Sequence, residues 1–68
     1  MTASDFREGD KVLYIPNHAH GDPNHKDCER GIVSSQNGNY VFVRYIHHGV
    51  QSRAKATYPG NLVRKERP

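Results

Sequence analysis

The chain has 68 residues, 34 % of them hydrophobic, and carries a net charge of +3 with neutral histidines. That is one small domain with a core drawn from few side chains, too few to enclose a deep catalytic cavity, so we expect no enzyme. The single cysteine excludes an internal disulfide. With no apolar leader and no apolar run long enough to cross a bilayer, we expect a cytoplasmic protein.

Residues 1–5 read as a flexible N-terminus and residues 6–64 as the domain. Lys11-Val12-Leu13-Tyr14-Ile15 is a short apolar run, introduced by Glu8-Gly9-Asp10 and stopped by Pro16. It predicts a first strand. Residues 16–28 then form a long polar segment rich in turn residues, Pro16, Gly21, Pro23 and Asn24 among them. Gly31-Ile32-Val33-Ser34-Ser35 and Tyr40-Val41-Phe42-Val43-Arg44-Tyr45-Ile46 are β-branched and aromatic, and predict the second and third strands. The Asn37-Gly38 pair between them is a strong hairpin signal, because both residues tolerate positive φ.

His47-His48-Gly49 reads as the next turn, residues 50–56 as a return strand, and Tyr58-Pro59-Gly60-Asn61 as a turn or single helical twist. Leu62-Val63-Arg64 closes the pattern as a fifth strand, and residues 65–68 are a basic tail. No stretch keeps a 3.6-residue apolar spacing, so no long helix is expected. Five short strands with little helix predict an all-β domain, a small antiparallel barrel.

Hairpin length decides which residues share a face. A two-residue turn pairs Gln36 with Asn39 and sets Val33 beside Tyr40 and Phe42. A three-residue loop pairs Gln36 with Tyr40 and gathers Val33, Val41, Val43 and Tyr45 inside. The second arrangement builds the better core. It leaves Ile32, Tyr40, Phe42 and Arg44 facing outward as an aromatic and basic stripe. The wider core is expected from Phe6, Val12, Leu13, Tyr14, Ile15, Leu62 and Val63 together with these strand residues.

The order of motifs resembles an SH3-like barrel of the group that includes Tudor and KOW modules. Gly9-Asp10-Lys11-Val12, Arg30-Gly31-Ile32-Val33, Val41-Phe42-Val43-Arg44-Tyr45 and Tyr58-Pro59-Gly60-Asn61-Leu62-Val63 carry the likeness. GIVSSQNGNYVFVRY followed by ATYPGNLVR is similar to small uncharacterised bacteriophage and prophage proteins. The resemblance covers roughly residues 6 to 64 and implies the fold, with residues 16–28 as its long first loop. It implies no particular activity, since this fold hosts unrelated functions.

Two sets of side chains are candidate sites. In HAHGDPNHKDC, residues 18–28, His18, His20, His25 and Cys28 offer imidazole and thiolate ligands suited to zinc. Only His20 and His25 have the H-x₃₋₅-H spacing of structural zinc sites, and there is no cysteine pair. The His18-x-His20-x-Asp22 run has a superficial likeness to the HxHxDH run of metallo-β-lactamase-type hydrolases. Pro23 stands where the last histidine belongs, which removes that reading. A plain polar loop is the simpler account. Cys28 as a nucleophile would need a positioned base and an oxyanion site; an inert thiol where loop meets strand is the expectation.

The second set is Tyr40, Phe42, Arg44, Arg53 and Lys55, with Arg64 and Tyr58 as further candidates. Cations neutralise phosphates and aromatic faces stack on unpaired bases. The expected partner is therefore nucleic acid or a nucleic-acid-associated protein, with a protein–protein adaptor as the alternative. No membrane, small-molecule substrate or cofactor is inferred beyond the zinc option.

Overall fold

A computed structural model describes residues 2–65. It is all-β: β1 (Lys11–Tyr14), β2 (Glu29–Gln36), β3 (Val41–His47), β4 (Val50–Thr57) and β5 (Leu62–Arg64), with single 3₁₀ turns at Ala3–Asp5, Asn17–Ala19 and Pro59–Asn61. The strands form one antiparallel sheet in the order β4-β3-β2-β1-β5. The expected closed barrel is not what the pairings describe: the sheet is open, with β4 and β5 as its edges. It is nevertheless strongly coiled. A flat five-stranded sheet would be thin in its third dimension, whereas the molecule measures 28 × 26 × 25 Å.

The concave face wraps the core. Ala3, Phe6, Val12, Val33, Val41, Val43, Tyr45 and Leu62 form one buried cluster, with Tyr14 packed against it. Burying a side chain the size of Val or Phe contributes roughly 1.5–3 kcal/mol, so this short set supplies most of the driving force. Val33, Val41, Val43 and Tyr45 do line the interior, as the hairpin argument expected. Tyr40 and Val63 do not join them and stay about half exposed, at 48 % and 49 %. The N-terminal residues contribute more than a flexible leader would: Ala3 is in the core, and the Arg64 guanidinium donates to the Asp5 carbonyl at 3.0 Å.

The β2–β3 hairpin differs from either expected turn. Gln36 pairs with Val41, leaving residues 37–40 in the loop, and Asn37 N–H donates to the Tyr40 carbonyl. The Asn37 side chain caps the loop by accepting from Asn39 N–H at 2.9 Å and Tyr40 N–H at 2.8 Å. A β-bulge between Val33 and Ser35 then shifts the ladder by one, so Val33 pairs with Val43 and Ile32 with Arg44. Beyond the bulge the register is the one a three-residue loop would have set.

Two packing details hold the sheet's geometry. Gly31 lies under β3: a Cβ there would overlap Val43 Cγ1 and sit 3.1 Å from Tyr45 Cδ1. At the other end, Asn61 ties the first loop to the last turn. Its Nδ2 donates to the Ile15 carbonyl at 2.9 Å and to Asn17 Oδ1 at 2.8 Å, while Ile15 N–H donates to the Asn61 carbonyl. Among the described residues no helix is long and apolar enough to cross a membrane.

Candidate functional site

Residues paired across an antiparallel ladder point to the same face. Val12, Tyr14, Gly31, Val33, Val43 and Leu62 therefore lie inward. The convex face carries Lys11 opposite Ile32, Leu13 opposite both Arg30 and Val63, Ile32 opposite Arg44, and Phe42 opposite Ala56. Ile46, opposite Gln51, belongs to the same face. Leu13 is buried yet stands outside the core cluster, as this placement requires.

The charge on this face is one-sided. Lys11, Arg30 and Arg44 are exposed. Lys65 joins Lys11 and Arg30 around a shallow concavity of about 340 Å³ with Ile32 and Ile46, and its N–H donates to the Lys11 carbonyl. Every paired position on the face is basic, polar-neutral or apolar, and among the described residues no acid occurs there. The acids among the described residues lie elsewhere. Asp5, Glu8 and Asp10 precede β1, Asp22 and Asp27 are in the long loop, and Glu29 faces inward opposite Tyr14. The result is a positive surface with apolar side chains set between its cations.

Of the residues singled out in the sequence, Phe42 and Arg44 lie on this face, with Phe42 half-buried and Arg44 exposed. Tyr40 is in the hairpin loop beside it. Lys55 is not on it: paired with Val43, it takes the inward-facing side of edge strand β4 and borders a depression with Tyr14, Glu29, Tyr45 and Thr57. Arg53 sits at the second bulge, where the β3–β4 register shifts between Arg44 and Ile46. Arg64, opposite Val12, turns to the Asp5 carbonyl. Sequence reasoning missed Lys11, Arg30 and Lys65. Strand parity would have found Lys11 and Arg30, because each alternates with a core or inward-facing position.

The long loop is wound rather than loose. Ala19 N–H donates to Pro16 O, Asp22 N–H to Ala19 O, His25 N–H to Asp22 O and Cys28 N–H to His25 O. Each turn begins where the previous one ends. Buried Pro16 and Ala19 anchor the start, and Asn24 N–H donates to Asp22 Oδ1 at 2.9 Å.

This winding brings together His18, His25 and Asp27, not the expected His18, His20, His25 and Cys28. His18 Nε2 lies 2.7 Å from Asp27 Oδ2, and His25 Nδ1 lies 4.0 Å from the same oxygen. The His18 hydrogen bond holds the Asp27 carboxyl below the ordinary carboxylate range. His20 adopts φ 51° at the end of the Asn17–Ala19 turn and is not part of the group. Cys28 donates its thiol to the Asp22 carbonyl at 3.3 Å. The second histidine pair of the sequence also separates: His47 meets Glu29 at 2.5 Å, while His48 takes the left-handed turn position at φ 51°.

The chain matches no protein-family model, no curated protein and no solved structure.

Proposed function

We propose that the protein is a non-catalytic module that binds nucleic acid through the convex face of its sheet. The observation that carries this reading is the grouping of Lys11, Arg30, Arg44 and Lys65 on a face that bears no acid among the described residues. Cations arranged this way neutralise consecutive phosphates and release counterions. Ile32 lies between Arg44 and Lys11 across the ladder, and Phe42 and Ile46 flank Arg44 along β3. A half-buried aromatic flanked by Arg44 suits contact with unpaired bases better than the grooves of a duplex, so single strands are the favoured substrate class.

The β4-β3-β2-β1-β5 order and the long wound loop between β1 and β2 support assigning the sheet to the SH3-like group, in an open form. On that assignment the protein acts in the bacterial cytoplasm during phage or prophage expression. This rests on the resemblance of its sequence.

Fluorescence anisotropy with labelled single- and double-stranded DNA and RNA at two salt concentrations tests the reading. If all four cations contact a single strand, log K falls with log salt at a slope of about −3. Absence of binding at low salt overturns it. Salt-insensitive capture of a protein partner on the same face would replace it with the adaptor reading.

A further inference from the structure

We propose that His18, His25 and Asp27 form a site for a divalent transition metal, with zinc the best-fitting ion, held by two imidazoles and one carboxylate and open at its remaining positions. This site lies in the long loop, apart from the convex face of the sheet, and uses none of the residues assigned to nucleic acid.

The spacing of the donor atoms carries the inference. One ligand atom from each residue falls within 4.8 Å of the other two, with His18 Nε2 and Asp27 Oδ2 at 2.7 Å and His25 Nδ1 and Asp27 Oδ2 at 4.0 Å. Tetrahedral zinc with bonds of about 2.0–2.1 Å separates its ligand atoms by about 3.3–3.5 Å. The observed separations bracket that value. Shifts of less than about 1 Å, in the exposed His18 and Asp27 and the half-buried His25, convert the cluster into a coordination shell.

The local backbone sets the exchange that binding requires. Asp27 N–H donates to His25 Nδ1 at 3.0 Å, and an ion bound at that nitrogen takes the place of this hydrogen bond. The two imidazole rings meet edge to face, with centroids 5.2 Å apart and planes at 81°. A cation between His18 Nε2 and Asp27 Oδ2 takes the position of the proton they share. The turns ending at His25 and Cys28 hold His25 and Asp27 in one bend of the chain.

Donor chemistry narrows the ion. Two nitrogens and one oxygen suit zinc, cobalt or nickel; calcium and magnesium prefer all-oxygen shells, and copper(I) prefers sulfur. The one thiol, Cys28, is engaged with the Asp22 carbonyl and lies outside the group.

Calorimetric titration of the full chain with zinc chloride, and with cobalt chloride followed by visible absorption, provides the test. One ion per chain and the absorption of a four-coordinate cobalt centre are expected. His18→Ala and Asp27→Asn should each weaken zinc binding by more than about a hundredfold, exceeding the roughly 10–100-fold loss that follows removal of an outer-shell partner. His20→Ala, Cys28→Ser and His47→Ala should leave it unchanged, with circular dichroism confirming that every variant is folded. Absence of stoichiometric zinc, or an equal loss in His20→Ala or Cys28→Ser, overturns the assignment.

Discussion

Ile32 stands directly opposite Arg44 across β2 and β3, on the face turned away from the core. The bulge between Val33 and Ser35 keeps them there. Next to the turn, Ser35 pairs with Phe42; without the bulge the same ladder would set Val33 opposite Arg44. One extra residue thus keeps Val33 buried and lets Arg44 share its face with Phe42, Arg30 and Lys11. Core and candidate binding surface depend on the same local irregularity.

If that surface binds nucleic acid, charge reversal should depend on the face and not on net charge. Arg44→Glu and Arg30→Glu are expected to lower affinity for a single strand and reduce the magnitude of the salt slope by at least about 0.7 each. Lys55→Glu, on the other face, should change both far less. Anisotropy titrations over a salt series read the difference directly.

Gly31 and Gly60 offer a contrast in how rigid the neighbour is. A Cβ at Gly31 meets the buried Val43 and Tyr45, neither of which can move away, so Gly31→Ala should cost about 1–3 kcal/mol. A Cβ at Gly60 meets the ring of Tyr58, which is 65 % exposed and free to swing aside. Gly60→Ala should therefore cost under about 1 kcal/mol. Urea unfolding of both variants measures the gap.

Burial pushes the Tyr45 phenol above its ordinary value of 10.0, against a partial opposing effect of its 2.6 Å hydrogen bond with Thr57. A raised folded-state value means that stability is intact below about pH 10 and is lost as pH climbs through the folded value. Alkaline melts followed by phenolate absorbance should show this loss. In Tyr45→Phe it should shrink, alongside a neutral-pH cost of about 1 kcal/mol for the hydrogen bond.

Asp27 runs in the opposite sense. Its carboxyl is depressed chiefly by the His18 hydrogen bond, so its contribution to stability is present above pH 3.8 and disappears as pH falls through the lower folded value. A side-chain NMR titration should place the Asp27 midpoint below 3.8, and His18→Ala should return it toward that value.

The end of the first strand depends on Asn61. Asn61→Ala removes donors to Ile15 O and Asn17 Oδ1, at about 1 kcal/mol for each hydrogen bond. Amide exchange should accelerate through the wound loop while β2 and β3 keep their protection.

Strand positions were largely legible because short β-branched runs between turn residues have few other ways to bury themselves. The apolar positions 33, 41, 43 and 45 similarly implied the inner face. Two features were hidden. A bulge has no composition of its own, and Ser34 looks like any strand residue. The loop was legible as rich in ligands, but which donors converge depends on its succession of turns. That geometry selects Asp27 and leaves His20 and Cys28 aside. The candidate binding face was half visible: Phe42 and Arg44 came from one strand, whereas Lys11 and Arg30 required the pairings of β1 with β2.

Chemical-shift mapping of the full chain, titrated at low salt with a single-stranded oligonucleotide, addresses the central proposal most directly. The convex face should respond, with the largest amide shifts at Lys11, Arg30, Ile32, Phe42, Arg44 and Ile46 and little change at Arg53, Lys55 or His18. An unchanged spectrum, or shifts confined to the loop and the inward-facing side of β4, would contradict it.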